Sequence, residues 1–146
     1  MTKNILVLCT GNSCRSQIAE GYLRHFAGER GEIYSAGVET HGVNPKAIAT
    51  MEDDGIDISN HTSNNVDEYQ HINFDFVITV CDNAAGEVCP IWPGNPATAH
   101  WGFPDPSQVS GTDVEKRLAF IEVKNGLKKR IDLLASMPLE TLDSMA

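Results

Sequence analysis

Apolar and polar positions along this chain fall into alternating blocks of two kinds. Residues 4–8 (Asn-Ile-Leu-Val-Leu) form a short, nearly continuous apolar run ending at Cys9, the pattern of a strand buried on both faces. From Arg15 to Ala27 the spacing changes, and Ile18, Ala19, Tyr22, Leu23 and Phe26 recur at helical intervals. Residues 32–36 read as a second strand that stops at Gly37. Pro45 opens a helix running to about residue 54, with Gly55 as its stop. Phe74, Phe76, Val77, Ile78 and Val80 mark a core strand over 74–80 that leads into Cys81, and 98–103 reads as a short fourth strand. Thr112 or Asp113 caps a last helix reaching about residue 135, with Phe120, Val123, Leu127, Ile131 and Leu134 as its buried stripe. Gly126 lies within that helix at a propensity cost of about 1 kcal/mol relative to alanine, which does not remove it. Strands alternating with helices predict an α/β fold. Its expected form is a four-stranded parallel sheet with helices on both faces and right-handed crossovers.

Nothing divides residues 1–146: no repeat, low-complexity tract or linker is present, so one domain is expected. The apolar share of 41% is ordinary for a globular chain. Eleven basic against twenty acidic residues give a net charge of −9, which argues against nucleic acid or an anionic membrane as partner. It also means that local donors must hold any anionic substrate against the global field. No apolar stretch approaches a membrane span and no signal sequence opens the chain, so a cytoplasmic protein is expected. That compartment disfavours a structural disulfide frame for the four cysteines, Cys9, Cys14, Cys81 and Cys89. Zinc fits poorly too, because seven residues separate Cys81 from Cys89. No metal is assigned to the five histidines.

The chemistry concentrates where strands end. Ligands of such sheets bind beyond the carboxyl ends of the strands, and two strands finish there in cysteine. The first continues as Cys9-Thr10-Gly11-Asn12-Ser13-Cys14-Arg15-Ser16, a five-residue loop between Cys and Arg followed by a helix. Successive backbone N–H groups at a helix N-terminus converge on a tetrahedral oxyanion, and the helix dipole adds attraction. Gly11 permits backbone conformations that other residues resist, and Asn12 tolerates left-handed dihedrals. Arg15 offers a two-pronged contact. The same positive surroundings favour the thiolate of Cys9, a nucleophile that Ser16 can steady with a hydrogen bond. Cys14, inside the loop, reads as a buried supporting thiol.

This loop resembles that of the low-molecular-weight protein tyrosine phosphatase superfamily. Tyr34-Ser-Ala-Gly37, Thr40-His-Gly-Val-Asn-Pro45, Ile58-Ser-Asn-His-Thr62 and His100-Trp-Gly-Phe-Pro-Asp-Pro106 are similar to its arsenate reductase branch. The resemblance covers nearly the whole chain. It implies a general acid at Asp105, which Pro104 and Pro106 would stiffen. It implies that Cys9 attacks arsenic or phosphorus. Some relatives bind potassium at positions matching Asn12, Glu20, Ser35 and Thr62 together with a carboxylate; here Asn64 stands in the carboxylate's place, which weakens that expectation.

A phosphatase and a reductase part company over the covalent adduct. The phosphatase admits water; the reductase needs a second thiol to attack the Cys9 sulfur. Cys81 is the expected second thiol and Cys89 the third. The implied relay runs from a Cys9–Cys81 to a Cys81–Cys89 disulfide, which thioredoxin or a glutaredoxin system would reduce. A helix over 81–89 would hold the two cysteine Cα atoms about 12 Å apart, whereas a disulfide needs less than about 7 Å. The segment must therefore be looped or unwind, which Asp82, Asn83, Gly86 and Pro90 favour. It is one residue longer than in the thioredoxin-linked relatives, which leaves the donor open. Tyrosine phosphatases of the superfamily carry aromatics after the Asp-Pro of the acid loop. This chain has Asp105-Pro-Ser-Gln108, and Ser13 replaces an aliphatic loop residue. The expectation is a monomeric arsenate reductase serving arsenic detoxification, without resident cofactor and with weak phosphatase side activity; the alternative is a tyrosine phosphatase. A redox sensor or passive oxyanion binder would need no acid at 105. Trp92, Trp101 and the proline-rich 90–97 segment are expected to cover the sheet edge.

Overall fold

In a computed structural model, which describes residues 3–27, 31–81 and 97–135, the central strand is the first one. β1 (Lys3–Cys9) pairs in parallel with β2 (Gly31–Gly37) on one side and β3 (Phe76–Thr79) on the other, and β3 pairs with β4 (Ala97–His100). The order is β2-β1-β3-β4, all parallel. The chain thus steps outward from β1 to β2 and then returns to the far side of β1. That reversal opens a crevice at the carboxyl ends of β1 and β3, where open α/β sheets bind their ligands.

The expected four parallel strands are present, with bounds shifted by a few residues. The third strand begins at Phe76, because Asp75 closes the preceding turn: its amide donates to Asn4 O (2.8 Å) while its carboxylate accepts from Asn4 N (2.8 Å). β4 ends at His100, yet Trp101 N still donates to Thr79 O (2.7 Å) as the chain bends toward Pro104.

The two sheet faces are covered unequally. Ile5, Val7, Ile33, Phe76 and Ile78 meet buried side chains of the three α-helices among the described residues: α1 (Arg15–Ala27), α2 (Pro45–Glu52) and α3 (Asp113–Ala135). On the other face Leu6, Leu8, Ala36 and Val77 pack beneath Tyr34, Val66, Tyr69 and Ile72, which a 3-10 helix at Val66–Tyr69 helps to bring over. Asn65 caps that helix in a reciprocal box with Glu68, a sequence signal the apolar pattern does not carry.

Local rules explain the helix ends. Asn44 caps α2 by accepting from Lys46 N (2.8 Å), and Gly55 follows in a left-handed conformation (φ +74°). Thr112 caps α3, its hydroxyl accepting from Glu115 N (3.2 Å). Phe120, Val123, Leu127 and Ile131 are buried as the stripe predicts. Gly126 belongs in α3 for a packing reason: a Cβ there would stand 2.5 Å from the Phe103 ring. Tyr22 of α1 is fully buried, and its hydroxyl donates to Asp54 at 2.5 Å. No helix among the described residues is long and apolar enough to cross a membrane.

Candidate active site

The crevice holds an open cleft of about 560 Å³ lined by Cys9, Thr10, Gly11, Ser13, Cys14 and Arg15 from the loop and by Pro104, Asp105, Ser107, Gln108 and Val109 opposite, with His41 at its rim. The loop is held from outside by its carbonyls. Glu39 N donates to Thr10 O (3.0 Å), His41 N to Gly11 O (3.1 Å) and Asn44 N to Ser13 O (3.0 Å). Gln17 Nε2 donates to Asn12 O (3.0 Å). In a planar trans peptide the carbonyl and the next N–H point oppositely. Fixing the carbonyls of Thr10, Asn12 and Ser13 outward therefore turns the amides of Gly11, Ser13 and Cys14 inward, at the N-terminus of α1. This is the geometry that a tetrahedral oxyanion requires.

Asn12 and Ser16 do not line the cleft; both are fully buried behind it. Asn12 takes the left-handed conformation (φ 49°), and its side chain donates to Ser16 Oγ (2.7 Å) and Ser35 Oγ (2.9 Å) and accepts from Asn64 N (2.6 Å). Two local expectations are corrected. Gly11 has no positive φ; a Cβ there would stand 2.8 Å from the His41 ring, which would have to shift. The Ser16 hydroxyl engages Asn12, and no hydrogen bond from it to Cys9 is present.

Arg15 is buried and spans the cleft floor. Its Nη1 donates to Phe103 O (3.0 Å) and its Nη2 lies 3.6 Å from Asp105 Oδ2. Asp105 in turn caps a 3-10 helix, Pro106–Gln108, accepting from Ser107 N (2.9 Å) and Ser107 Oγ (2.7 Å). The Pro-Asp-Pro sequence thus aims one carboxylate oxygen at Arg15 while the other anchors the loop. Burial pushes the Cys14 thiol up to about 11, with Asp105 and Cys9 adding to the rise. A thiol so placed stays protonated at neutral pH and supports the loop as a small apolar group.

Cys81 is fully buried at the end of β3, and its Sγ lies 3.9 Å from the carbonyl oxygen of Leu8, the residue before Cys9. Val80 N extends the β1–β3 ladder by donating to Leu8 O (2.9 Å). Cys9 and Cys81 thus leave the neighbouring strands β1 and β3 at the same edge of the sheet. Cys9 is buried as well. Cys89, Trp92 and the rest of 82–96 lie outside the described residues. Trp101 is buried in the helical-side core.

Behind the loop, the positions compared above with a potassium site come together around Glu20, which is buried. The Ser35 hydroxyl donates to its Oε1 (2.5 Å), Arg24 Nε to its Oε2 (2.8 Å), and His61 Nδ1 stands 3.6 Å away. Thr62 Oγ1 and Asn64 Oδ1 bond each other at 3.1 Å. Burial lowers the His61 pKa, partly opposed by Glu20. Arg24 supplies Glu20 with a cationic partner, and Asn64 brings no carboxylate to Thr62.

Residues that periodicity did not single out include Gln17, the 39–44 strap, Phe103 through its carbonyl, and His41. The close approach of His41 to Gly11 has no signature in local pattern.

A cysteine-bearing loop of this build, facing an aspartate across a cleft, is the arrangement that cysteine-dependent oxyanion chemistry requires. The sequence profile of the low molecular weight phosphotyrosine protein phosphatase family matches residues 4–142, and the chain belongs to that family. It is 48% identical over 133 residues to a protein of Halalkalibacterium halodurans named arsenate reductase, covering 91% of this chain and 95% of that one. Among solved structures it is similar to an arsenate reductase in the oxidized state (TM-score 0.77, 30% identity, 92% and 98% covered). It is likewise similar to an arsenate reductase in the phosphate binding state (TM-score 0.72, 30% identity, the same coverages).

Proposed function

We propose that the protein reduces arsenate to arsenite through a thiol relay. The observation that carries this reading is the Cys81 sulfur lying over the Leu8 carbonyl beside Cys9. An enzyme that only hydrolyses esters has no use for a thiol there.

The Cys9 thiolate attacks As(V) held by the loop amides and Arg15, forming an S–As bond. Asp105 donates a proton to the departing oxygen, which leaves as water. The Cys81 thiolate then attacks the Cys9 sulfur. The S–As bond breaks with its electron pair moving to arsenic, which leaves as arsenite, and a Cys9–Cys81 disulfide forms. Cys89 next attacks Cys81, releasing Cys9, and the Cys81–Cys89 disulfide passes to a dithiol reductant of the thioredoxin or glutaredoxin type. Relatives named arsenate reductase support the substrate, and the neighbour in an oxidized state supports the disulfide chemistry. Arg24 on Glu20 supports a mechanism without a resident potassium ion. A cytoplasmic, monomeric protein acting in arsenic detoxification fits this chemistry.

Ester hydrolysis shares the first step, so weak phosphatase activity is expected beside the reductase. The cleft wall at Ser107, Gln108 and Val109 offers no aromatic surface for a phosphotyrosine ring. The test is incubation with arsenate and either thioredoxin or glutathione–glutaredoxin, measuring arsenite alongside para-nitrophenyl phosphate hydrolysis. Cys81→Ser should abolish arsenite formation, Cys89→Ser should stop it after about one equivalent per protein, and both should spare most hydrolysis. Equal loss of both activities would overturn the division of roles.

A further inference from the structure

A second, smaller groove of about 230 Å³ adjoins the cleft and shares Ser107 with it. Its walls are Pro106 and Ser107 of the acid loop, Asn44 and Lys46 at the start of α2, and Lys116 with Phe120 of α3. Most described cations are committed elsewhere. Arg15 faces Asp105, Arg24 holds Glu20, Arg117 faces Asp53, and Lys124 and Lys128 share Asp54. Arg130 lies over the rings of Trp101 and Phe103. Lys46 and Lys116 have no carboxylate within ion-pair distance among the described residues, and both line this groove. The N-terminal dipole of α2 adds to the same sign of potential. Of the surrounding carboxylates, Asp105 is on Arg15, Glu115 accepts from the Thr112 hydroxyl (3.2 Å) and Asp53 pairs with Arg117; Lys46 also borders a neighbouring groove lined by Glu52, Asp53 and Asp113, none of which forms an ion pair with it.

In a chain of net charge −9, uncompensated positive charge at the mouth of an oxyanion cleft has a physical consequence. The distant field repels a doubly negative ion, while a cleft with a charged rim focuses attraction locally. We infer that Lys46 and Lys116 form an anion-attracting vestibule that captures tetrahedral oxyanions and delivers them to the Cys9 loop. The inference rests on that loop being the oxyanion site. It adds that substrate capture depends on two lysines outside the loop, on α2 and α3.

The test compares alkylation of Cys9 by anionic iodoacetate and neutral iodoacetamide. Tandem mass spectrometry of the tryptic peptide 4–15 distinguishes Cys9 from Cys14. At low salt the iodoacetate-to-iodoacetamide rate ratio should fall about three- to tenfold in K46Q/K116Q, and the difference should vanish at high salt. K128Q/K129Q, which changes net charge equally from another part of α3, should keep the wild-type ratio. An unchanged ratio in K46Q/K116Q, or an equal fall in K128Q/K129Q, would overturn the vestibule. Cys9 resisting both reagents would count against the nucleophile instead. Calorimetric binding of inorganic phosphate then decides the vestibule: its low-salt affinity should drop severalfold in K46Q/K116Q alone, and equal affinity in all three proteins would refute it.

Discussion

Arg15 and Asp105 face each other across the cleft at 3.6 Å, with the arginine buried and the aspartate one-quarter exposed. One pair thus joins the group that would hold the oxyanion to the group that would protonate its leaving oxygen. Arg15→Lys keeps the charge but loses the planar fork that reaches both Phe103 O and Asp105. Losing one charge-assisted contact predicts inorganic phosphate binding weaker by roughly 10- to 100-fold, measured by calorimetry.

Asp105→Asn separates anchoring from acid chemistry. Asparagine can still accept from Ser107 N, so the 3-10 helix and the fold should persist, with an unchanged circular dichroism spectrum. Without the proton donor, hydrolysis of an alkyl phosphate should fall by about 10²–10⁴, and that of para-nitrophenyl phosphate, whose leaving group needs little protonation, by much less. Equal losses would remove the acid role.

Gly126→Ala reverses an ordinary rule. In an exposed helix the change would stabilise by about 1 kcal/mol. Here the new Cβ meets the Phe103 ring at 2.5 Å, and the Phe103 carbonyl holds Arg15. Destabilisation of about 1–3 kcal/mol in urea unfolding, together with weaker phosphate binding, is expected.

Much of this site was legible in short-range pattern, and the rest depended on tertiary placement. The strand into Cys9, the loop and α1 are contiguous, so spacing alone exposed them; the left-handed Asn12 followed from side-chain chemistry. Cys81 could be seen to end a strand, but its approach to Leu8 depends on β3 pairing with β1, which periodicity does not fix. The gathering of all three described α-helices on one face, the 39–44 strap and the reason for Gly126 are likewise long-range facts.

His61 gives the fold a pH dependence of definite sign. Burial favours its neutral ring, so its folded pKa lies below the unfolded value of about 6.5. Above that value both states are neutral and nothing is gained or lost. As pH falls below it, the unfolded chain takes up the proton more readily, and stability declines by at most about 1.4 kcal/mol per pH unit from this group. His61→Gln should flatten that decline in urea midpoints followed from about pH 7 downward to the folded pKa. An unaltered slope would assign it to other groups.

Cys14, with its pKa near 11, should resist alkylation at neutral pH while Cys9 in the same peptide reacts. Its modification rate should climb only in strongly alkaline buffer, as read by tandem mass spectrometry.

The relay itself is tested most directly in Cys89→Ser, where the first disulfide has no onward path. One equivalent of arsenate, quenched with N-ethylmaleimide and digested without reduction, should yield peptide 4–15 bonded through Cys9 to the peptide carrying Cys81, with one arsenite released per bond. Arsenite appearing while Cys9 and Cys81 both remain alkylatable would contradict the account.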